Sequence, residues 1–373
     1  MTSWRFPARA STARTSEVTK QTPMRRRRQA TGGVTSNGAG VDEVAPAGSV
    51  DTSDPTSDSG AVTSTLQLHN EDPVMGEMPV ATHPPLETEM PVETDAQAAI
   101  DAAAAVTNAV FRPSGGGASP GWITSCAYSH SNNDDPIVHP GHPGAAHLHD
   151  YSAARTTGHS STPDSLRAGG STCETAGDTS AYWIPALFED GERVLPTATR
   201  MNSLFYYRRK GAPEGTTVQL FPDGLKMIIG NAHATSPVEN PQLGTDIIFK
   251  CGPGSTQDLP APPRQCDSGV MVMSLRFPNC WDGVNLDSAD HRSHMAYPSG
   301  SRCPASHPVV LPRLESFFRY DVGRGPIGDI TLSAGPYYTA HQDLFNAWVP
   351  SSLNTLIANC INAGVDCGQN PLR

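Results

Sequence analysis

The stretch VMVMSL at residues 270–275, together with SLFYYR at 203–208, decides the fold. Apolar residues in both run nearly without interruption instead of alternating, so each reads as a strand buried on both faces. Working outward, short apolar runs recur at Tyr182–Phe188, Thr217–Phe221, Lys226–Ile229 and Thr245–Lys250, separated by dense Gly and Pro. Runs of four to eight residues with β-branched or aromatic members, bounded by turn residues, are strands. A mainly β domain follows, and a two-sheet, sandwich-like packing would bury strands on both faces. Only the end of the chain is expected to be helical. Asp343–Asn362 places Leu344, Trp348, Leu353, Leu356, Ile357 and Ile361 at approximate helical spacing, broken by Pro350 and stopped by Gly364. No internal repeat is present.

The aromatic residues set the domain boundary. None lies between Phe6 and Phe111, whereas from Trp122 onward they recur steadily. Aromatics carry much of the buried area that offsets chain entropy. Residues 1–118 therefore read as a disordered tail and residues 119–373 as a single β-rich globular domain. The first 28 residues are basic, with eight Arg and Lys against the single Glu17 and the run Arg25-Arg26-Arg27-Arg28. From Gln29 to Phe111 there is no Lys or Arg, while thirteen Asp and Glu appear among Ser, Thr, Gly and Pro, a composition that stays solvated. Within it the Ala-rich stretch 93–110, acidic at its start and followed by Arg112-Pro113, has the pattern of a marginal helix. Its internal aspartates rule it out as a membrane span, so no transmembrane segment is expected. The Arg run lacks interleaved aromatics and the chain carries a formal charge of -11, both of which oppose a nucleic-acid partner.

All eight cysteines, at 126, 173, 251, 266, 280, 303, 360 and 367, lie in the proposed domain. An even number without a CxxC pair favours disulfides over metal thiolates, and disulfides imply an oxidising compartment. Pairing of neighbours is the first expectation: Cys126 with Cys173, Cys251 with Cys266, Cys280 with Cys303, and Cys360 with Cys367. Closing the loop between Cys251 and Cys266 would stabilise the fold by roughly 3 kcal/mol in the chain-entropy model. An extracellular or cell-surface location follows, although residues 1–40 contain no apolar stretch of the signal-peptide kind.

Three polar clusters carry the chemistry: His147-Leu-His149, Asp282 with His291 and His294, and His341-Gln-Asp343. No P-loop, GxGxxG, GxSxG or HExxH pattern competes with them. If Ala146–Asp150 is a strand, His147 and His149 point to one face. His139 and His142 lie in a Pro-Gly loop that would rim the same pocket. His291 and His294 are three apart, as on one side of a helical turn, within a loop anchored by Cys280 and Cys303. Asp343 is either a helix N-cap or the partner of His341. Three chemistries fit. A His-rich site with carboxylates suits a divalent metal such as zinc or copper. A metal-free site would use a carboxylate and a His as acid and base on a polysaccharide, with Trp183, Trp281 or Trp348 stacking on sugar rings. The same residues could instead form a structural hydrogen-bonded network.

Six ordered motifs resemble an uncharacterised secreted domain family of fungi and bacteria, DUF1996. They are PIVHPGHPGAAHLHD at 136–150, TCETAGDTSAYWIPALF at 172–188, LFPDGLKMIIGN at 220–231, CWDGVNLDSADHRSHMAYP at 280–298, CPASHPVVLPRL at 303–314 and HQDLFNAW at 341–348. The resemblance implies an extracellular domain, sometimes joined in fungi to carbohydrate-binding modules, and so points toward glycans. The family's signature includes the positions of His147, His149, Asp282, His291, His294, His341 and Asp343.

Together these readings lead to a glycan-directed enzyme, metal-assisted or using acid-base chemistry. His147, His149 and His291 are the expected metal ligands. Asp282, His291, His294, His341 and Asp343 are the expected catalytic groups, and Lys226, Arg292, Trp281 and Trp183 the expected substrate contacts, on a polysaccharide or cell-wall glycan. The alternative is a non-catalytic glycan- or wall-binding protein whose histidines only order the loops.

Overall fold

The computed structural model describes residues 109–114, 119–197, 202–213 and 215–373. The readings made for residues 1–108 and 115–118, including the basic and acidic tail and most of the helix at 93–110, lie outside the described residues.

Eleven strands build two large sheets. In chain order they are β1 (Gly121–Cys126), β2 (Tyr128–Asn132), β3 (His149–Ala153), β4 (Ala181–Pro185), β5 (Ser203–Arg208), β6 (Lys226–Gly230), β7 (Ile247–Cys251), β8 (Val270–Arg276), β9 (Arg313–Asp321), β10 (His341–Phe345) and β11 (Asp366–Gln369). One sheet has the order β11-β1-β5-β9-β8-β7, antiparallel except for the β1–β11 pair. The other is antiparallel throughout, with the order β2-β3-β4-β10-β6. The first face of the five-stranded sheet carries Tyr182, Ile184, Met227, Ile229 and Leu344. These share one core with Phe205, Tyr207, Met271, Met273, Leu275, Phe318 and Tyr320 of the six-stranded sheet. Apolar burial of this kind, at about 25 cal/mol per Å², is the main force holding the sheets together.

β8 is buried along almost its whole length, as its uninterrupted apolar run requires, while Tyr206 and Arg208 leave β5 half-exposed on one side. The longest strand, β9, is absent from the runs singled out by sequence. Its pattern RLESFFRYD alternates between buried and half-exposed positions, the period of two that a strand imposes. The run Tyr182–Phe188 divides at Ala186 into β4 and a short strand, Leu187–Glu189. The run Thr217–Phe221 is not a strand. Val218 is buried there, but its backbone N–H and C=O pair with the side chain of Asn362, which replaces a strand partner.

The expected helix over Asp343–Asn362 is shorter. Asp343 to Phe345 belong to β10, and the helix α2 runs Pro350–Leu356 before one wide turn at Ile357–Ile361. Pro350 opens this helix and does not break it, because a first-turn proline has no N–H to lose. A second short helix, α1 (Pro163–Gly169), is capped by Thr162, whose side chain accepts from the Ser165 backbone N–H.

All four disulfides join sequence neighbours as expected: Cys126–Cys173, Cys251–Cys266, Cys280–Cys303 and Cys360–Cys367. Residues 109–114, assigned to the tail by composition, are tied to the end of the chain. Val110 and Arg373 exchange backbone hydrogen bonds, and Arg112 donates to Pro371. No helix among the described residues is long and apolar enough to cross a membrane.

Candidate metal centre

The second face of the five-stranded sheet holds the site. Alternation along β10 sends Leu344 into the shared core and leaves His341, Asp343 and Phe345 on the opposite side. Ladder register then lines up Ile228, Asp343, Trp183 and Tyr151 across β6, β10, β4 and β3. His149 and His341 lie one step further along their own strands, and the preceding loop brings His147 beside them.

His147, His149 and His341 converge. The His147 and His149 rings are 4.2 Å apart between centroids, and the Nε2 atoms of His147 and His341 are 3.1 Å apart. One ring nitrogen from each of the three lies within 4.8 Å of the others. The strand expected at Ala146–Asp150 starts only at His149, yet His147 and His149 do share a face.

The hydrogen bonds fix the ring protons. His341 Nδ1 donates to Thr339 O at 2.8 Å, and His149 Nδ1 donates to Asp134 O at 3.3 Å. Neutral rings bonded in this way keep Nε2 as a lone pair, and His149 Nε2 is buried without a partner. Burial, reinforced by His233 and His139, lowers His147 to about 4. Burial and the neighbouring His147 lower His341 to about 3, and His149 is pushed well below its ordinary value by the same causes. All three are neutral near pH 7, the form that binds metals. Ligand nitrogens about 3.3 Å apart are what tetrahedral coordination at 2.0–2.1 Å requires. A backbone carbonyl behind His341 and another behind His149 supply the outer hydrogen bonds that orient metal-binding imidazoles.

Two buried carboxyls adjoin the histidines. Asp135 and Asp343 form a second close group with His149. Burial raises both, and in Asp343 the neighbouring Asp135 adds to the effect while Arg292 opposes it. Asp343 is 1% exposed in mid-strand and therefore caps no helix. Sequence reasoning overlooked Asp135 and His233. Asp135 directly precedes the His-rich stretch, which was a usable signal; His233 stands alone after β6, and only folding brings it near His147 and His341.

The loop of residues 281–294 contributes less than expected. His291 is in neither close group; it sits in this loop with a left-handed backbone (φ 57°), its Nδ1 2.9 Å from Asp287. His294 is buried, with Nε2 donating to Lys226 O at 2.7 Å and Nδ1 2.9 Å from Ser288 Oγ. No helical turn presents the two histidines together. Asp282 caps a turn by accepting from the Val284 and Asn285 backbone N–H groups. Arg292 does reach the site's edge, donating to Ile228 O while its charge acts on Asp343 and His341. Lys226 braces three segments, donating to Pro136 O at 3.3 Å, facing Asp287 at 3.7 Å and lying over the Phe345 ring.

Trp183 is fully buried beneath the carboxyls and Trp348 is 1% exposed, so neither offers a face to a sugar; Trp281 remains half-buried. Cys126, Cys173 and Asp178 also come close together, but both sulfurs are committed to a disulfide. No curated protein and no solved structure matches the chain. The histidines and carboxyls described here all fall within residues 135–348, the span that matches the family model described as a domain of unknown function, DUF1996, and the chain belongs to that family.

Proposed function

We propose that this domain is a metal-dependent enzyme of the extracellular space or cell surface that acts on a polysaccharide, with zinc or copper held by His147, His149 and His341. The observation that carries the reading is the convergence of three neutral imidazoles on one sheet face, with a buried Nε2 of His149 left unpartnered. His294, by contrast, has both ring nitrogens occupied, as expected of a histidine that holds the fold. Three imidazole nitrogens suit zinc or copper. A bound ion there would supply Lewis-acid activation of water or of a substrate oxygen.

The chain's own groups have separate parts. Asp135 and Asp343 offer carboxyls next to the ligands for proton transfer, and Arg292 supplies positive charge beside them for a hydroxylated or anionic substrate. Lys226 holds the flanking loops in place. The extracellular or cell-surface location is supported by the four disulfides, which suit an oxidising exterior, and the polysaccharide class by the half-buried Trp281 at the start of the loop.

The test is elemental mass spectrometry on the full chain, folded under oxidising conditions and dialysed without chelator. Bound zinc or copper, lost in a His147→Ala/His341→Ala variant with unchanged circular dichroism, is the expected result. A folded, metal-free wild type overturns the reading. A polysaccharide screen then separates classes: turnover abolished by the same variant supports an enzyme, and binding without turnover points to a glycan-binding role.

A further inference from the structure

His149 belongs to two close groups at once. On one side are the rings of His147 and His341. On the other, the carboxyls of Asp135 and Asp343 and a ring nitrogen of His149 all lie within 4.8 Å of one another, and all three residues are buried.

The two aspartates are held in place from different parts of the fold. Asp135 Oδ1 accepts from the Ile137 and Val138 backbone N–H groups at 2.8 and 2.9 Å, which fixes that carboxyl at the head of the His-rich loop. Asp343 is fixed by ladder pairing, opposite Trp183 on one side and Ile228 on the other. Asp343 Oδ2 is buried and has no hydrogen-bond partner, and neither has His149 Nε2. The nearby Arg292 directs its Nη1 to Ile228 O at 3.1 Å. Buried acceptors of this kind are ordinarily paired, and an unpartnered carboxyl oxygen on Asp343 beside the Asp135 carboxyl suits an oxygen-binding cation.

We propose that Asp135, Asp343 and His149 form a second cation position, adjoining the three-histidine position and sharing His149 with it, for a divalent ion that accepts mixed oxygen and nitrogen ligands, such as manganese or zinc. The inference rests on the preceding reading for the first cation. His149 Nε2 would face the first cation, and serving the second requires Nδ1 to leave Asp134 O, its ring proton passing to solvent when both are loaded. A second cation beside the carboxyls would add positive charge for a substrate oxygen that the first ion does not reach.

The full chain, stripped with chelator and then titrated separately with zinc and manganese, is counted by elemental mass spectrometry after gel filtration. The wild type is expected to saturate at about two equivalents, Asp343→Asn at about one, His147→Ala at about one and His149→Ala at about none. Saturation of the wild type at about one equivalent, unchanged in Asp343→Asn, overturns the second position and leaves the first intact. A wild type that binds no ion overturns both. Should Asp343→Asn fail to fold by circular dichroism, Asp135→Asn takes its place, and the wild-type count alone still decides between one ion and two.

Discussion

Individual side chains on this sheet and loop separate into those that hold the fold and those left available for chemistry. His294 is buried and uses both ring nitrogens, one of them on the backbone of β6. Its replacement by Ala should leave Lys226 O unpaired and destabilise the domain by about 1–3 kcal/mol. His291, half-buried with the single partner Asp287, should cost less than about 1 kcal/mol when replaced by Ala. Denaturant melts of the two variants check the contrast, and equal losses would contradict it. Asp178 gives the pH dependence. Burial pushes it up to about 7, although Tyr182 donates to its carboxyl within a chain that continues to Tyr207 and Trp348. The folded state therefore keeps this proton up to about pH 7, whereas an unfolded chain releases it near 3.8. Stability from this group is fully present below the unfolded value and is lost as pH rises through the folded one. Asp178→Asn should thus flatten the decline of melting temperature across that window, and an unchanged slope would show the carboxyl to be ionised throughout.

At the scale of elements, β10 does most to build the site, because it lies between β4 and β6 and gives its second face to His341 and Asp343. Its approach to β6 depends on Gly230, paired with His341 and held at φ 81°. A Cβ at that position would come within 2.2 Å of Ala340 O and 2.7 Å of the His341 Cα. Gly230→Ala should therefore destabilise by more than about 1 kcal/mol, through both the unfavourable backbone region and the clash. Because the displaced residue is His341, the same variant should weaken metal retention relative to a surface control of equal stability loss. Thermal melts and metal content measured together check this; full retention at a lowered melting temperature would mean that His341 is not a ligand. The loop bearing Asp282 and His291 is secured differently. The Cys280–Cys303 bridge closes it at the base, and the His294 and Arg292 bonds pin it to the backbone of β6.

For the whole molecule, two sheets share one core, four bridges tie neighbouring segments, and the ends of the described domain meet where Val110 pairs with Arg373. Much of this was legible in the sequence. The uninterrupted apolar run specifies β8, because a strand buried on both faces has no polar position to spare; β5 was legible as a strand, but Tyr206 and Arg208 leave one of its faces half-exposed. Cysteine spacing pointed to the pairing of neighbours, since short loops bring those sulfurs together most readily. His147 and His149 were readable as a pair because two residues apart on an extended chain means one face. Other parts were not legible. Helical spacing after Asp343 is an accident of composition: the ladder with β4 and β6 supplies backbone partners for residues 341–345, and the helix forms only after Pro350. His291 and His294 had the more prominent local motif, yet the third member of the histidine group is His341, and Asp135 joins from the head of the His-rich loop, one residue before the stretch the sequence reading took up. The sequence by itself determined the strand-rich class and the histidine pair, both of which depend on residues close together in the chain, and it made neighbour pairing the first expectation for the cysteines. Only the tertiary structure decided which distant residues complete the site, because strand order and register bring positions nearly two hundred residues apart to within a few ångströms, and no local pattern encodes that pairing.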